Sequence, residues 1–590
     1  MDIRQGTAEP YRELIEIGIA LSAESNPERL HERILMEAKA FTNADAGTLY
    51  LKHNDKELTF QIVQNDSLGI AMGGSTGVVC NLPPVLLISE SGEPNMSNVA
   101  TYCAITGQIV NIADAYQRCG DLDFSGAHEF DRRLGYRSQS FLTVPLKNHR
   151  GVVIGILQLI NAKDASGAVV PFHDSILPMV SALASQAAVS IDNRLLIEEL
   201  KQLLDSFIGV IATAIDTKSP YTGGHCQRVP LITELLVRAA CNAQDGPFAE
   251  FDLNEQEWHE LRVACWLHDC GKVITPEHIV NKATKLECIY DRIHEIRMRF
   301  EVLKRDAEIQ MLKGQLAGGD AKILRAAYEA QCALLDEEFA FLGECNVGGE
   351  FMAPEKVARL QQIAQRTWVR TLSDRIGNSY AERNRRDAIP ELALPVKEQL
   401  LDDRYDHAST REGQQLCAEG NAWAFNMKTP ELEANLGEIY NLSISRGTLT
   451  KEDRYRINEH MVQTVVMLES LPWPRHLRRV PEYAGGHHEK MDGTGYPRGL
   501  NGAQLSIPAR VMAIADIFEA LTAADRPYKA PKTLSEALKI MCSMVKDQHI
   551  DPKLFYLFVE SGVYQEYARL YLAPEQIDGV DVAAILGQIG

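Results

Sequence analysis

Apolar and polar residues alternate along the first third of the chain with two different periods. Arg12–Ala23 and Pro27–Phe41 carry apolar positions three and four residues apart. That spacing predicts two amphipathic helices, the second opening on a proline where a helix tolerates one. The period shortens to two in Ala46–Lys52 and Leu58–Gln64, and again in Phe141–Leu146 and Val152–Asn161, which read as strands with a turn at Asn148–Gly151 between the last two. Helical spacing then returns at Leu177, Val180, Leu183, Ala187, Ile191, Leu195 and Leu196 within Ser175–Glu199, and no proline or glycine breaks the run from Ser181 into Phe207. A long rigid connector is expected there. Its apolar stripe has two uses, packing against its own domain or pairing with a second copy as a homodimer. After Leu204 the pattern is mostly helical, with long stretches at Leu286–Gln315 and Lys356–Arg386.

At 590 residues the chain exceeds what one hydrophobic core supports, so two or more domains are expected. Hydrophobic residues make up 45% and charged residues 24%, as in ordinary globular proteins. The longest apolar runs, around Val152–Ile160 and Pro178–Val189, contain polar residues or are too short to span a bilayer, and Met1–Thr7 lacks the apolar core of a signal peptide. Twelve scattered cysteines without a CxxC pair fit free thiols in a reducing cytoplasm. A formal net charge of −20 excludes a general binder of DNA or of anionic membranes. It leaves room for a small phosphate-bearing ligand, which needs only a few local cations.

The chemistry is carried by histidines and aspartates. Arg262–Asp269 is an apolar, helix-like run closed by the pair His268-Asp269. Asp516 sits among apolar neighbours in Ala509–Leu521, where a carboxylate is costly unless it is paired, hydrogen-bonded or bound to metal. His225 precedes another helical run, His460 ends Lys451–His460, and His487-His488 follow Gly485-Gly486. Each alone reads as a cap, a surface residue or a buried ion pair. Together they form the mixed nitrogen and oxygen set that suits iron, manganese or zinc. A carboxylate shared by two such ions, about 3.5–4 Å apart, would serve an in-line phosphoryl displacement.

Two resemblances follow from motifs. Asn111–Tyr116, then Asp131…Gly135-Tyr136…Ser140–Leu146, then Gly155–Asn161, resemble a GAF domain across nearly all of residues 10–195. Asn161, Lys163, Phe172 and Asp174 echo, with irregular spacing, a motif of cyclic-nucleotide-type GAF domains. His268-Asp269-Cys-Gly271-Lys272, followed by His487-His488-Glu489…Asp492-Gly493-Thr-Gly495-Tyr496-Pro497 and Asp516…Asp525-Arg526-Pro527-Tyr528-Lys529, resembles the HD-GYP family of cyclic di-GMP phosphodiesterases. This resemblance implies an all-helical HD fold with a two- or three-metal centre that hydrolyses cyclic di-GMP to pGpG and sometimes GMP. The matching positions imply His225, His268, Asp269, His460, His487, His488 and Asp516 as metal ligands, with Asp269 bridging. His225, His268 and Asp516 would favour one ion, and His460, His487 and His488 the other. Lys272 matches the lysine at the scissile phosphate, and Arg526 and Lys529 match basic residues that hold the substrate phosphates. Tyr221 stands where trinuclear relatives carry glutamate, so two divalent ions, iron or manganese, are expected; Ser219 stands where many relatives carry aspartate.

The expected architecture is multidomain: an α/β GAF-like sensor over 1–195, a helical linker over 196–204, and an all-α HD-type domain in two parts, 205–282 and 447–565, with a C-terminal tail from 566 to 590. Residues 283–446 are a long helical insertion, because Gly447–Thr450 resumes the segment that relatives reach directly after the lysine matching Lys282. His294 lies in a false copy of that segment and does not keep the intervals that His460 keeps. The insertion has four possible uses, as a hairpin, a lid, a docking surface for a protein partner or a dimer arm. The expectation is a cytoplasmic cyclic di-GMP phosphodiesterase controlled by an unknown small ligand at the GAF domain. The rival readings are a weakly catalytic sensor or interaction module, and a hydrolase of another cyclic dinucleotide.

Overall fold

The computed structural model describes residues 9–24, 26–89, 92–117, 122–218, 224–349, 351–413, 415–524 and 531–588. The chain divides into two compact units, Met1–Leu204 and Asp205–Gly590.

In the first unit an antiparallel sheet is built from β1 (Ala44–His53), β2 (Glu57–Asn65), β3 (Ile70–Met72), β4 (Val85–Leu86), β5 (Val110–Ile112), β6 (Phe141–Lys147), β7 (Val153–Lys163) and β8 (Val169–Val170). Its order is β3-β2-β1-β7-β6-β5, with β4 added to β2 and β8 to β7. The period-two pattern sends Leu142, Val144 and Leu146 to one face and Phe141 to the other. On the first face they meet Leu30, Ile34 and Leu35 from the helix Pro27–Thr42 and Val180, Leu183 and Ala187 from the connecting helix. On the second face Phe141 and Ile156 pack against Val99, Ala100 and Cys103 of the helix Val99–Thr106. The sheet is therefore covered on both faces, which is the layered α/β form expected.

Residues singled out by the sensor-domain motif make internal contacts. Asn161 accepts hydrogen bonds from the backbone of Gln139 (2.7 Å) and Ser140 (3.2 Å) and donates to Arg137 O (2.7 Å). Lys163 pairs with Asp45, whereas Asp174 accepts from Asn111 (3.2 Å). Phe172 is buried in the core.

The connecting helix runs from Leu177 to Lys218 without a break. By length and composition Asp174–Thr217 is long and apolar enough to cross a membrane, a test that a core helix also passes. Val180, Leu183, Ala184, Ala187, Ala188 and Ile191 are spent on the sensor core, and Ile208 and Ile215 on the core of the second unit.

The second unit is mostly helical. Its main core joins Val229, Ile232 and Leu236 of His225–Cys241, Leu261 and Ala264 of Glu255–Leu267, Val511 and Phe518 of Ile507–Thr522, and Leu538 and Phe555 from the C-terminal helices. Asn254 and Thr450 open two of the site-bearing helices with capping boxes, closing backbone donors that would otherwise be orphaned.

The segment between Lys282 and Thr448 leaves and returns at one place, since Thr448 Oγ1 donates to Lys282 O at 3.0 Å. Helices Ile293–Leu316 and Ala321–Val347 form a hairpin with a core of its own around Ile296, Phe300, Leu342 and Leu360. The stretch Lys356–Arg386, expected to be one helical run, is broken. Helix Pro354–Ala364 stops, Thr367–Arg370 pairs with Val396–Gln399, and only Tyr380–Asp387 is helical again. The β-prone Thr367-Trp-Val-Arg sequence gains a strand partner that lies outside its own window, and that long-range pairing overrides helical periodicity.

Candidate metal centre

Residues on or just beyond five helices converge. His225 opens the helix His225–Cys241, and His268 and Asp269 follow the last turn of Glu255–Leu267. His460 lies midway along Lys451–Glu469, His487 and His488 follow Val480–Gly485, and Asp516 lies in Ile507–Thr522. Apolar faces drive these helices into the core, and these polar residues, at helix ends or along a helix, meet in a buried pocket. His268, Asp269, His225, His460 and His487 are all buried.

The donor atoms fall into groups that could hold a metal ion: His225, His268 and Asp516; His460, His487 and His488; and His268, Asp269 and His487, each within 4.8 Å. Asp269 lies between the first two. Its Oδ2 is 3.2 Å from His225 Nε2 and 3.1 Å from His268 Nε2, and its Oδ1 is 3.3 Å from His460 Nε2. Asp516 Oδ1 is 3.3 Å from His225 Nε2.

The orientation of the imidazoles is fixed from behind. His268 Nδ1 donates to Cys265 O (2.6 Å), His487 Nδ1 to Ala484 O (2.7 Å) and His460 Nδ1 to Ile457 O, each a carbonyl one turn back. With Nδ1 committed, the lone pair of Nε2 faces the pocket. His460 Nε2, His487 Nε2 and Asp269 Oδ1 are buried and make no hydrogen bond. Unsatisfied buried acceptors are costly, and three of them converging is what a cation would relieve. The residues present therefore fit a pair of divalent ions.

Electrostatics agree at four of these positions, whereas at His225 Glu519, Asp269 and Asp516 outweigh burial and hold the imidazole well above its ordinary range. Burial alone would raise Asp269, but Lys272 and His268 outweigh it and hold its carboxyl well below the usual range. Asp516 is likewise held down against burial, chiefly by His225. Burial pushes His487 down to about 4, with His268 adding to the effect, and pushes His488 well below its ordinary value. The pocket thus favours ionised carboxylates and neutral imidazoles at His487 and His488, the forms that ligate metals. Lys272 Nζ stands 2.5 Å from Asp269 Oδ2; burial would lower its ammonium, but Asp269 and Asp516 raise it.

Two residues escaped sequence reasoning. Glu519, wholly buried, accepts from His225 Nδ1 (2.6 Å) and from Arg228 Nε (2.7 Å). Despite burial, His225 and Arg228 hold its carboxyl down at about 2. The signal was present: Glu519 lies three residues after Asp516 and Arg228 three after His225, so each shares a helix face with a named residue.

Two glycines permit close approaches, one after the His268-Asp269 pair and one in the Gly-Tyr-Pro loop. A Cβ at Gly271 would meet His460 O at 1.9 Å, and one at Gly495 would meet Glu489 Cα at 2.4 Å. Glu489 is buried and accepts from the backbone of Arg498 (2.7 Å), Gly499 (3.1 Å) and Leu500 (2.9 Å). The loop includes a cis Tyr496–Pro497 bond, and the Tyr496 ring stacks on His488 with centroids 4.9 Å apart. Arg526 and Lys529, like Ser219 and Tyr221, lie outside the described residues. His294 is exposed on its helix and bonds to Arg297 (2.6 Å).

Residues 26–191 match the GAF domain family, and residues 395–554 match an HD domain family. The HD match covers His460, His487, His488 and Asp516, and it begins within the segment that the sequence sets apart as an insertion. The chain therefore carries an N-terminal GAF domain and an HD domain after it. It is 46% identical over 94 residues to "3'3'-cGAMP-specific phosphodiesterase 1" of Vibrio cholerae, covering 16% of this chain and 21% of that protein. It is 41% identical over 128 residues to the "3'3'-cGAMP-specific phosphodiesterase 3" of the same organism, covering 21% and 27%. A cyclic di-GMP phosphodiesterase of Pseudomonas aeruginosa is 44% identical over 79 residues, covering 13% and 18%. The chain spans between 18% and 27% of the length of these curated relatives.

Proposed function

We propose that the second unit is a metal-dependent phosphodiesterase that opens a cyclic dinucleotide, cyclic di-GMP, to linear pGpG and onward to GMP. The observation that carries this reading is the convergence of three unpartnered buried acceptors, Asp269 Oδ1, His460 Nε2 and His487 Nε2, on one pocket. His225, His268 and Asp516 would hold one divalent ion and His460, His487 and His488 the other, with Asp269 between them. Iron or manganese suits this set. Two such ions, when bound, lower the pKa of water and clamp the oxygens of an in-line displacement.

The chain supplies the rest. The carbonyls behind His268, His460 and His487 keep each Nε2 aimed inward, so little reorganisation accompanies reaction. Lys272 carries its proton and stands beside Asp269, where an ammonium offsets negative charge developing on the scissile phosphate. Arg526 and Lys529 are read as clamps on the substrate phosphates. The names of the similar proteins support a cyclic dinucleotide as substrate. A second reading, 3'3'-cGAMP in place of cyclic di-GMP, is favoured by the cGAMP-specific names of two of these relatives.

The GAF domain is read as the controlling element, with a small ligand of its own, and the protein as cytoplasmic. The eleven cysteines among the described residues are all free, which supports a reducing compartment.

The test is hydrolysis of both dinucleotides by anaerobically purified full-length protein, with metal content assayed in parallel and Asp269→Ala as control. Linear product from the native protein alone, at two metals per chain, is expected. Full metal loading with no product from either substrate would overturn the reading.

A further inference from the structure

The segment set apart as an insertion does not stay clear of the metal centre. Near its end, residues 416–428 form a strap without helix or strand, and Asn421 shapes it. Asn421 Oδ1 accepts from the backbone of Trp423 (3.1 Å) and Phe425 (2.9 Å), and its Nδ2 donates to Phe425 O (2.8 Å). Phe425 is thereby presented to the helix Lys451–Glu469, where it is buried against Val462 and Val465, with Trp423 and Met427 beside it. At about 100° per residue, Val462, Val465 and Glu469 fall within about 40° of the face opposite His460. The strap braces that helix from behind, on the side away from the pocket.

It braces the Gly-Tyr-Pro loop as well. Asn426 N donates to Pro497 O at 2.9 Å, and a Cβ at Gly499 would meet Asn426 Nδ2 at 2.3 Å. Arg498 clasps strap, helix and loop together. Its Nε donates to Trp423 O (2.9 Å) in the strap, its Nη2 to Glu469 (2.6 Å) on the helix, and its backbone N to Glu489 (2.7 Å), the residue after His488. The guanidinium also lies 5.8 Å from the centre of the Phe425 ring. From Pro497 the contact passes to Tyr496, whose N donates to His488 O at 3.2 Å and whose ring stacks on His488. Two candidate ligands of one ion, His460 and His488, thus rest on elements that the strap holds. The third, His487, also has the main core behind it through Tyr483 and Ala484. The helices that carry or adjoin His225, His268 and Asp516 pack into that core, and among the described residues none from 416–428 joins it.

We propose that the strap is a positioning element for one ion only: it sets the affinity of the site formed by His460, His487 and His488 and leaves the site formed by His225, His268 and Asp516 unchanged. Phe425, Asn426 and Arg498 act through His460 and His488 rather than as ligands. The insertion is then part of the scaffold of the metal centre. The inference rests on the two-ion reading of that centre.

The experiment titrates Mn²⁺ into metal-free full-length protein and measures bound metal in the native chain, Phe425→Ala, Phe425→Leu and Arg498→Lys. The native protein should take two ions per chain. In Phe425→Ala one ion should bind as in the native protein and the other about 10–100-fold more weakly, as is usual when the support behind a ligating histidine is disturbed. Phe425→Leu refills much of the space against Val462 and Val465 and should restore most of the lost affinity. Arg498→Lys keeps a charge facing Glu469 but lacks the Nε donor to Trp423, so it should weaken the same ion, and it decides the matter if Phe425→Ala does not fold. A general loss of stability would weaken both ions alike. Two ions of native affinity in the variants, or both weakened equally, overturns the role of the strap and leaves the two-ion reading standing. A native protein that takes no second ion overturns that reading and this inference with it.

Discussion

His225 is the ligand candidate whose orientation depends on side chains rather than on a carbonyl, because Glu519 and Arg228 stand behind it. Glu519→Gln removes the charge while keeping an acceptor, so the fold is expected to survive. Metal affinity should fall about 10–100-fold, as is usual when a partner behind a ligating histidine is changed. Glu519→Ala should go further, removing a wholly buried carboxylate from between His225 and Arg228 at a cost of about 3–5 kcal/mol. Metal titration followed by mass spectrometry checks the first, and thermal melting the second; unchanged affinity in Glu519→Gln would assign Glu519 to packing alone. Chelation tests the centre as a whole. Ions that bind only the native state at one hundred times their Kd contribute about 2.7 kcal/mol, so stripping them should lower the melting temperature and Mn²⁺ should restore it. A melting curve indifferent to chelator would remove the metals from the reading. The seven ligand candidates were named position by position from the family resemblance, since each alone reads as a cap, a surface residue or a buried ion pair. Glu519 was not, because a glutamate on a helix is usually solvated, and its burial is decided by residues nearly three hundred positions away.

At the scale of elements, short-range pattern and long-range pairing divide the outcome. The strands β1, β6 and β7, buried on both faces, were readable as short apolar runs, and the connecting helix by its three- and four-residue spacing. The stretch after Ala364 was misread because Thr367–Arg370 becomes a strand only by meeting Val396–Gln399. The strap at 416–428 was invisible for the same reason. It has no regular structure of its own and is held by Val462, Val465, Pro497 and Arg498, all far along the chain. Phe425 is its anchor. Phe425→Ala should cost about 3–5 kcal/mol of local stability. Amide exchange across 416–428 should rise while exchange in the helix Glu255–Leu267 stays slow. Protection unchanged across 416–428 would mean that the backbone bonds alone hold the strap.

At the scale of the whole molecule, the connecting helix belongs to both compact units, and between them it carries an apolar stripe that neither core uses. Leu196, Leu200, Leu203, Phe207 and Val210 follow a four-three spacing and are between 46% and 67% exposed. That spacing is the one a two-stranded coiled coil requires, and five such layers would bury enough apolar surface to hold two copies together. A parallel pairing would bring matching points of two chains into register and give the sensor domains a common lever on both metal centres. Leu200→Glu tests it. Each leucine lost from such a seam removes about 1.5–3 kcal/mol, and the two glutamates repel. Dimer affinity should then fall by roughly 100-fold or more, since about 1.4 kcal/mol is tenfold. Light scattering over a concentration series reads the change directly. Dimer in the native protein and monomer in Leu200→Glu, with metal content the same in both, is the expected result. A native protein that stays monomeric at every concentration would leave the stripe without a second copy to cover it, and control by the GAF domain would then have to act within one chain.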